Sequence, residues 1–350
     1  MTRLDERPGV LFQVPDQSTA SAPPEVRGSS RDDVRMLVAR PDGIEHHRFR
    51  DLADLLEPGD LVVVNNSATV HGEIDGVRGG RPIVVHVAQR LDDDTWVVEL
   101  RTSPDASSPV LDAAAGETIG VGELPLTLLR PYPYDRWSPT GSGNRLWSAR
   151  TEGDLRTLLD RCGRPIAYGY LDRSYPLSAY QSVFSTVPGS AEMASAGRPF
   201  TDRLLTRLVA RGITVAPITL HTGVSSQEAG EGPQPEWFHV PAATAHLVEL
   251  VRSHAGRVVA VGTTVTRALE SAVVNGAVQE SWGWTHRVVT PERPAVVVSG
   301  LITGWHDAAA SHLLLVEAIA GTRLAQAAYD GAVAEGYRWH EFGDSALFLP

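Results

Sequence analysis

Apolar and polar positions along the chain fall into three successive patterns. In the first, Val34 to Ala39 and Leu61 to Asn65 are short unbroken apolar runs of strand length, separated by a helical turn around Asp51 to Leu56 and the turn residues Pro58-Gly59-Asp60. The second begins with the β-branched runs Pro82 to Gln89 and Thr95 to Leu100, which flank Asp92-Asp93-Asp94 and predict an antiparallel hairpin; Glu117 to Val121 and Leu126 to Arg130 add further strands. Pro131 to Ser148 mixes Pro, Tyr, Trp, Ser and Gly without period and reads as a long loop. Helix and strand then alternate. In EGDLRTLLDRCG, Leu155, Leu158, Leu159 and Cys162 share a face and Gly163 is the stop. In TDRLLTRLVARG, Thr201 is the N-cap, Leu204, Leu205, Leu208 and Val209 point inward, and Gly212 ends the helix. Strands are predicted at Ile213 to Leu220, Val258 to Val261 and Ala295 to Ser299. Helices are predicted near Ala242 to His254 and Val265 to Val274, and within Ala308 to Ala320 and Arg323 to Glu335. Asp16 to Ser30, rich in Ser, Pro and Ala, reads as a loop or arm. The chain is therefore α/β, with residues 1–67 and 151–350 forming a large domain and residues 68–150 an all-β insertion.

Composition narrows the chemistry. The 350 residues suffice for about two domains, and 42% hydrophobic with 21% charged residues suits a packed globular chain. All 31 cationic side chains are arginine, which excludes a P-loop lysine, a pyridoxal Schiff base and a Ser-Lys dyad within this chain. The formal charge of −11 weakly disfavours nucleic acid, although a local arginine patch could still hold one. Cys162 stands alone, no apolar run approaches the roughly 20 residues needed to span a bilayer, and the start carries no signal pattern, so a cytoplasmic location is expected.

In open or barrel-like α/β folds ligands bind at the carboxyl ends of the strands. Here those ends read His221-Thr222-Gly223, Gly262-Thr263-Thr264 and Thr303-Gly304-Trp305-His306-Asp307. The stretch VVAVGTTVTRALES turns from strand to helix at Gly262, Thr263 and Thr264, a shape that favours an anion. Arg267 and Glu270, three apart on that helix, suit a zwitterion, the arginine taking an α-carboxylate and the glutamate an α-ammonium; the plainer alternative is an ion pair on a solvated helix face. His46-His47 and Glu236 with His239 read as isolated and solvated, and no metal site is expected.

VGTTVTRALES resembles the VGTTSVRTLES block of the S-adenosylmethionine:tRNA ribosyltransferase-isomerases of queuosine biosynthesis. Further blocks follow in the same order: LEPGDLVVVNNS (56–67), YQSVFS (180–185), SAGRPFT (195–201), ITLHTG (218–223), TGWHDAAASHLLLV (303–316) and YRWHEFGDSALFL (337–349). The resemblance implies a large α/β barrel-like domain carrying an inserted antiparallel β-barrel. It also implies transfer of the ribosyl part of S-adenosylmethionine to the aminomethyl group of a 7-deazaguanine in tRNA, with rearrangement to an epoxycyclopentanediol and release of adenine and methionine. S-adenosylmethionine is then the substrate, and no metal is required. A sulfonium acidifies its neighbouring C5′ hydrogens, so a base can start the reaction and an acid can help adenine depart; His221 and His306 are the candidates, with the roles open. Phe200, Trp305 and Trp339 could supply an apolar wall, and Thr201 and Asp344 polar contacts, with helix capping the competing role for Thr201.

Departures concentrate in blocks that would meet the acceptor. The family's NDTRVxPARL corresponds to NNSATVHGEI (65–74), its PPYIxR to IAYGYLDR (166–173), and its AGLHF histidine to Pro199; Asp307-Ala308 replaces Leu-Pro, and VGAGTF becomes TGVSSQ (222–227). Two alternatives follow: a divergent enzyme that cleaves S-adenosylmethionine onto a small-molecule acceptor, or a non-catalytic S-adenosylmethionine- or RNA-binding relative.

Overall fold

Leu61–Asn65 is buried along its whole length, as a run of apolar residues must be when helices cover both faces of a sheet. The computed structural model describes residues 4, 6–15, 18–133, 143–225, 231–308 and 310–350; part of the predicted 131–148 loop, Ser226 and Gln227 of the TGVSSQ block, Asp16 and Gln17 of the predicted arm, and Ala309 of the predicted 308–320 helix lie outside them. Among the described residues nine strands form a mixed sheet in the order Ser281–Thr285, Glu236–Val240, Thr214–Leu220, Leu61–Asn65, Val258–Val261, Gly300–Gly304, Ser345–Phe348, Arg35–Arg40 and Gly43–Arg48. The four strands from Thr214–Leu220 to Gly300–Gly304 run parallel, so their carboxyl ends emerge together at one edge.

Alternation across these strands divides the core in two. Leu61, Val63, Ile218, Val258, Ala260 and Leu301 face the helices Ala242–Ser253, Thr263–Ser271, His312–Ala320 and Thr322–Ala334. Val62, Val64, Val259, Val261 and Ile302 face Leu52–Leu55 and Asp202–Ala210. Thr201 caps the latter helix, accepting from the Leu204 N–H at 3.2 Å.

The predicted strand at Ala295 to Ser299 is displaced: the chain pairs only from Gly300 to Gly304. The N–H groups of Val296, Val297 and Val298 go instead to the Glu270 carboxylate, which converts a β-branched run into a pinned loop. Cys162 is exposed, because the helix Leu155–Cys162 meets the barrel core only through Leu155, Leu158 and Leu159. Val209, one position round from Leu208, falls off the buried stripe and is 66% exposed.

Between these halves the chain builds a closed antiparallel barrel from Glu73–Arg78, Arg81–Arg90, Trp96–Thr102, Thr118–Val121, Leu124–Pro131 and Leu146–Arg150. Ile74, Val85, Val98 and Leu100 fill its interior. The alternate positions carry charge: Glu73 pairs in register with His86 and His86 with Glu99, with Arg101 two residues on, so one wall bears a buried ionic row. His86 Nε2 lies 2.9 Å from Glu73 and its Nδ1 3.5 Å from Glu99; Glu99 also meets Arg101 at 2.7 Å and Arg145 at 3.1 Å. Burial alone would raise the Glu99 carboxyl, but Arg145, His86 and Arg101 outweigh it and hold the group down to about 2. A carboxyl depressed in the fold stabilises above its ordinary value near 4.5 and loses that contribution as pH falls toward 2. Burial lowers His86, but the two glutamates outweigh it and raise the imidazole, so its contribution is complete below 6.5 and fades at higher pH. Glu99→Gln should therefore reduce stability at neutral pH by about 3–5 kcal/mol and flatten its decline between pH 4.5 and 2; urea unfolding across that range measures both.

Candidate active site

The parallel strands deliver their ends into a cavity of about 680 Å³ bounded by the barrel, the segments 168–170 and 192–196, and the loops after Leu220, Val261 and Gly304. This volume falls within the range of about 300–1,000 Å³ usual for sites that enclose a small molecule. Thr222, Gly262, Thr263, Thr264, Arg267, Thr303, Trp305 and His306 all line it, so three predicted strand ends do converge. Gly262 sits at φ 95°, where any side chain would be strained, and its N–H donates to Ile302 O at 2.7 Å. The nine-residue helix it opens has no side-chain cap, so its first-turn N–H groups retain the capacity to hold an anion.

Arg267 is 6% exposed and pairs not with Glu270 but with Glu236. Its Nε donates to Arg287 O at 3.1 Å and its Nη2 to Gln234 O at 2.8 Å, which fixes the guanidinium plane. Glu236, read from sequence as solvated, is a cavity wall residue that also accepts from the Gly223 N–H at 2.9 Å. Burial outweighs Arg267 and raises its carboxyl. Glu270 is spent on the three backbone N–H groups of the 296–298 loop and is absent from the cavity lining, so both readings made for it fail: it is neither clamp nor solvated ion pair.

His306 lines the cavity with Nε2 2.9 Å from the Thr303 hydroxyl, and its ring stacks on His312 at 4.6 Å and 6°. Burial, then His312 and His340, push the His306 imidazole well below the ordinary histidine value; His312 is pushed down to about 4, chiefly by burial. Both rings are neutral across the neutral range. His221 lies behind the wall: its Nδ1 is 2.7 Å from the Ser67 hydroxyl, which is 2.6 Å from that of Ser190. Its ring stacks on Trp237 at 5.3 Å, and a Cβ at Gly189 would stand 2.5 Å from the imidazole. It therefore braces strand ends while Thr222 beside it reaches the cavity.

Four other predicted contacts belong to the framework. Phe200 packs between Phe49 and Phe184 at 5.0 and 5.1 Å, and Thr201 caps its helix and donates to Asp32 at 3.2 Å. Trp339 is fully buried behind Trp305, 5.6 Å away, leaving Trp305 alone of the three predicted aromatics in the lining. Asp344 accepts from the backbone N–H groups of Arg35 and Arg338 at 2.8 and 2.9 Å and from the Arg35 guanidinium, which anchors the C-terminal strand.

The wall that sequence reading missed comes from IAYGYLDR, the stretch that departs from the family pattern. Tyr168 and Tyr170 stack at 6.1 Å and 24°, and Tyr170 stacks on His340 at 4.6 Å and 16°. Their hydroxyls donate to Glu192 and Glu341. Two tyrosines spaced by one residue in a glycine-containing stretch are the only signal the sequence offers for this wall. Among the described residues no group of three or more His, Cys, Asp or Glu is placed to hold a metal ion, and no helix is long and apolar enough to cross a membrane.

Comparison with known proteins matches residues 10–348 to a family model described as queuosine biosynthesis protein. S-adenosylmethionine:tRNA ribosyltransferase-isomerase from Symbiobacterium thermophilum is 35% identical over 97% of this chain and 98% of its own length. The enzyme of that name from Acidiphilium cryptum is 33% identical, covering 96% and 97%. The crystal structure of S-adenosylmethionine tRNA ribosyltransferase from Thermotoga maritima superposes with a TM-score of 0.53 at 27% identity, covering 97% of this chain and 99% of that one.

Proposed function

The chain belongs to the queuosine biosynthesis protein family, and from that membership we propose that it is an S-adenosylmethionine:tRNA ribosyltransferase-isomerase acting on the 7-aminomethyl-7-deazaguanine of a tRNA. The observation that carries the assignment to a site is the convergence of Gly262-Thr263-Thr264, Arg267 with Glu236, and a neutral His306 on one cavity.

The α-carboxylate of S-adenosylmethionine is assigned to the uncapped helix N-terminus and the Arg267 guanidinium, and its α-ammonium to Glu236. Trp305, in the cavity lining, offers an apolar surface to adenine and to the sulfonium. His306, unprotonated at neutral pH and tied to Thr303, is the group that takes the proton from the carbon beside the sulfonium. Among the strand-end histidines only His306 is so placed.

The reaction is tested by incubating the protein with S-adenosylmethionine and tRNA bearing 7-aminomethyl-7-deazaguanine at the wobble position, beside unmodified tRNA. Adenine and methionine should appear in equal amounts with the first tRNA only, together with an epoxycyclopentanediol-modified nucleoside. Release of adenine without a tRNA-linked product would point to a different acceptor, and no release at all would defeat the enzyme assignment.

A further inference from the structure

Glu192 is a half-buried cavity carboxylate with no cation paired with it. Its oxygens accept from the Tyr168 hydroxyl, the Ser225 N–H at 3.1 Å and the Ser225 hydroxyl at 2.5 Å, all neutral donors. Among the described residues no arginine or histidine pairs with it, and the Glu341 carboxylate adds further negative potential there. Glu236, by contrast, has Arg267. Burial, with Glu341, raises the Glu192 carboxyl. Other charged and titratable groups near it are Tyr168 and Tyr170, Arg101 over the Tyr168 ring at 5.2 Å, Glu99 and Arg145, which act on the Tyr168 hydroxyl, and His340 against Tyr170.

An unpaired carboxylate in a partly dehydrated cavity is costly until a cation arrives, so this wall suits a positively charged ligand group. S-adenosylmethionine brings its α-ammonium attached to an α-carboxylate, and Arg267, Glu236 and the helix N-terminus already match that pair. The other cation of the reaction is the aminomethyl group of the acceptor. An alkylammonium loses its proton only near pH 10, yet the nitrogen must carry a free lone pair before it can bond to the ribosyl carbon. Stacked tyrosine faces adjoin the carboxylate and suit the flat base that carries this arm.

We propose that Glu192 receives the aminomethyl ammonium of the acceptor base and takes its proton. One N–H bond breaks and one O–H bond forms on the carboxylate, the lone pair stays on nitrogen, and the two charges cancel. The inference rests on the ribosyl-transfer reading above.

Two measurements test it. Isothermal calorimetry with free 7-aminomethyl-7-deazaguanine should show binding to the wild-type protein and at least about tenfold weaker binding to Glu192→Gln, while the uncharged 7-cyano-7-deazaguanine binds both alike. Equal affinity of the two proteins for the aminomethyl base, or none in either, overturns the proposal. This holds even if the wild type turns nothing over, a result that would sink the reaction and leave the receptor standing. In turnover, kcat/KM of Glu192→Gln for aminomethyl tRNA should fall about 10²–10³-fold at pH 7 and climb as pH is raised to 9, where solution removes the ammonium proton unaided. Glu192→Asp should recover part of the loss, S-adenosylmethionine affinity should be unchanged, and thermal unfolding should confirm the fold. A loss independent of pH, or weakened S-adenosylmethionine binding with acceptor binding intact, rejects the role.

Discussion

Arg267→Leu is expected to abolish measurable binding of S-adenosylmethionine and to lower the stability of the fold by about 3–5 kcal/mol. Both effects come from one guanidinium. It lines the cavity beside the open N-terminus of its own helix, and it neutralises Glu236, whose largely enclosed carboxylate, 12% exposed, would otherwise stand without a cation. The two consequences separate in a double variant. Adding Glu236→Gln removes the orphaned charge, so urea unfolding of the pair should recover much of the lost stability while calorimetry still finds no binding. If the double variant binds S-adenosylmethionine normally, Arg267 is structural only. Glu270→Gln supplies the contrast, because that side chain is occupied by three backbone N–H groups. It should cost about 1–3 kcal/mol and leave affinity untouched.

The positions of Arg267 and Glu270 also mark how far the sequence can be read. Strand ends such as Val258–Val261 are legible because central parallel strands are apolar on both faces and must stop where polar residues begin. The glycine at 262 is legible because the turn into the helix requires φ 95°. Partner choice is not. Spacing places Arg267 near Glu270 on a helix, but the ion pair is set by Glu236–Val240, a strand that joins the sheet edge and was not predicted at all. Its alternation of Glu236, Phe238 and Val240 inward with Trp237 and His239 outward puts a charge among core positions, which hides the period. The barrel strand Glu73–Arg78 escapes for the same reason: Glu73 is buried only because His86 and Arg164 meet it from elsewhere in the chain. Gly43–Arg48 escapes for another, being a largely exposed edge with no buried face to impose a pattern. Phe200, Trp339 and Asp344 show the converse error. Each lies in a family block, yet each serves the packing that shapes the strand ends and never reaches the cavity.

His306→Gln should reduce kcat by about 10²–10⁴-fold while S-adenosylmethionine still binds, since glutamine retains a polar group for Thr303 but cannot accept and relay a proton. Protonation sets the second half of the expectation. Burial and the rings of His312 and His340 hold the His306 imidazole neutral in the fold well below the ordinary value of 6.5. In the unfolded chain it protonates near 6.5, so stability is complete above that pH and is lost as pH falls below it. The sign is opposite to that of His86, whose raised value costs stability on the alkaline side. Wild-type turnover should accordingly show no histidine limb at 6.5 on the acid side and persist until the protein itself weakens. His306→Gln should shallow the acid-side stability loss measured by urea unfolding between pH 7 and 5, whereas His221→Gln, behind the wall, should leave the pH profile of turnover unchanged. A His306 variant within tenfold of wild-type kcat, or one whose acid-side unfolding matches wild type, would remove this histidine from the chemistry and return the search for the base to the glutamates of the cavity.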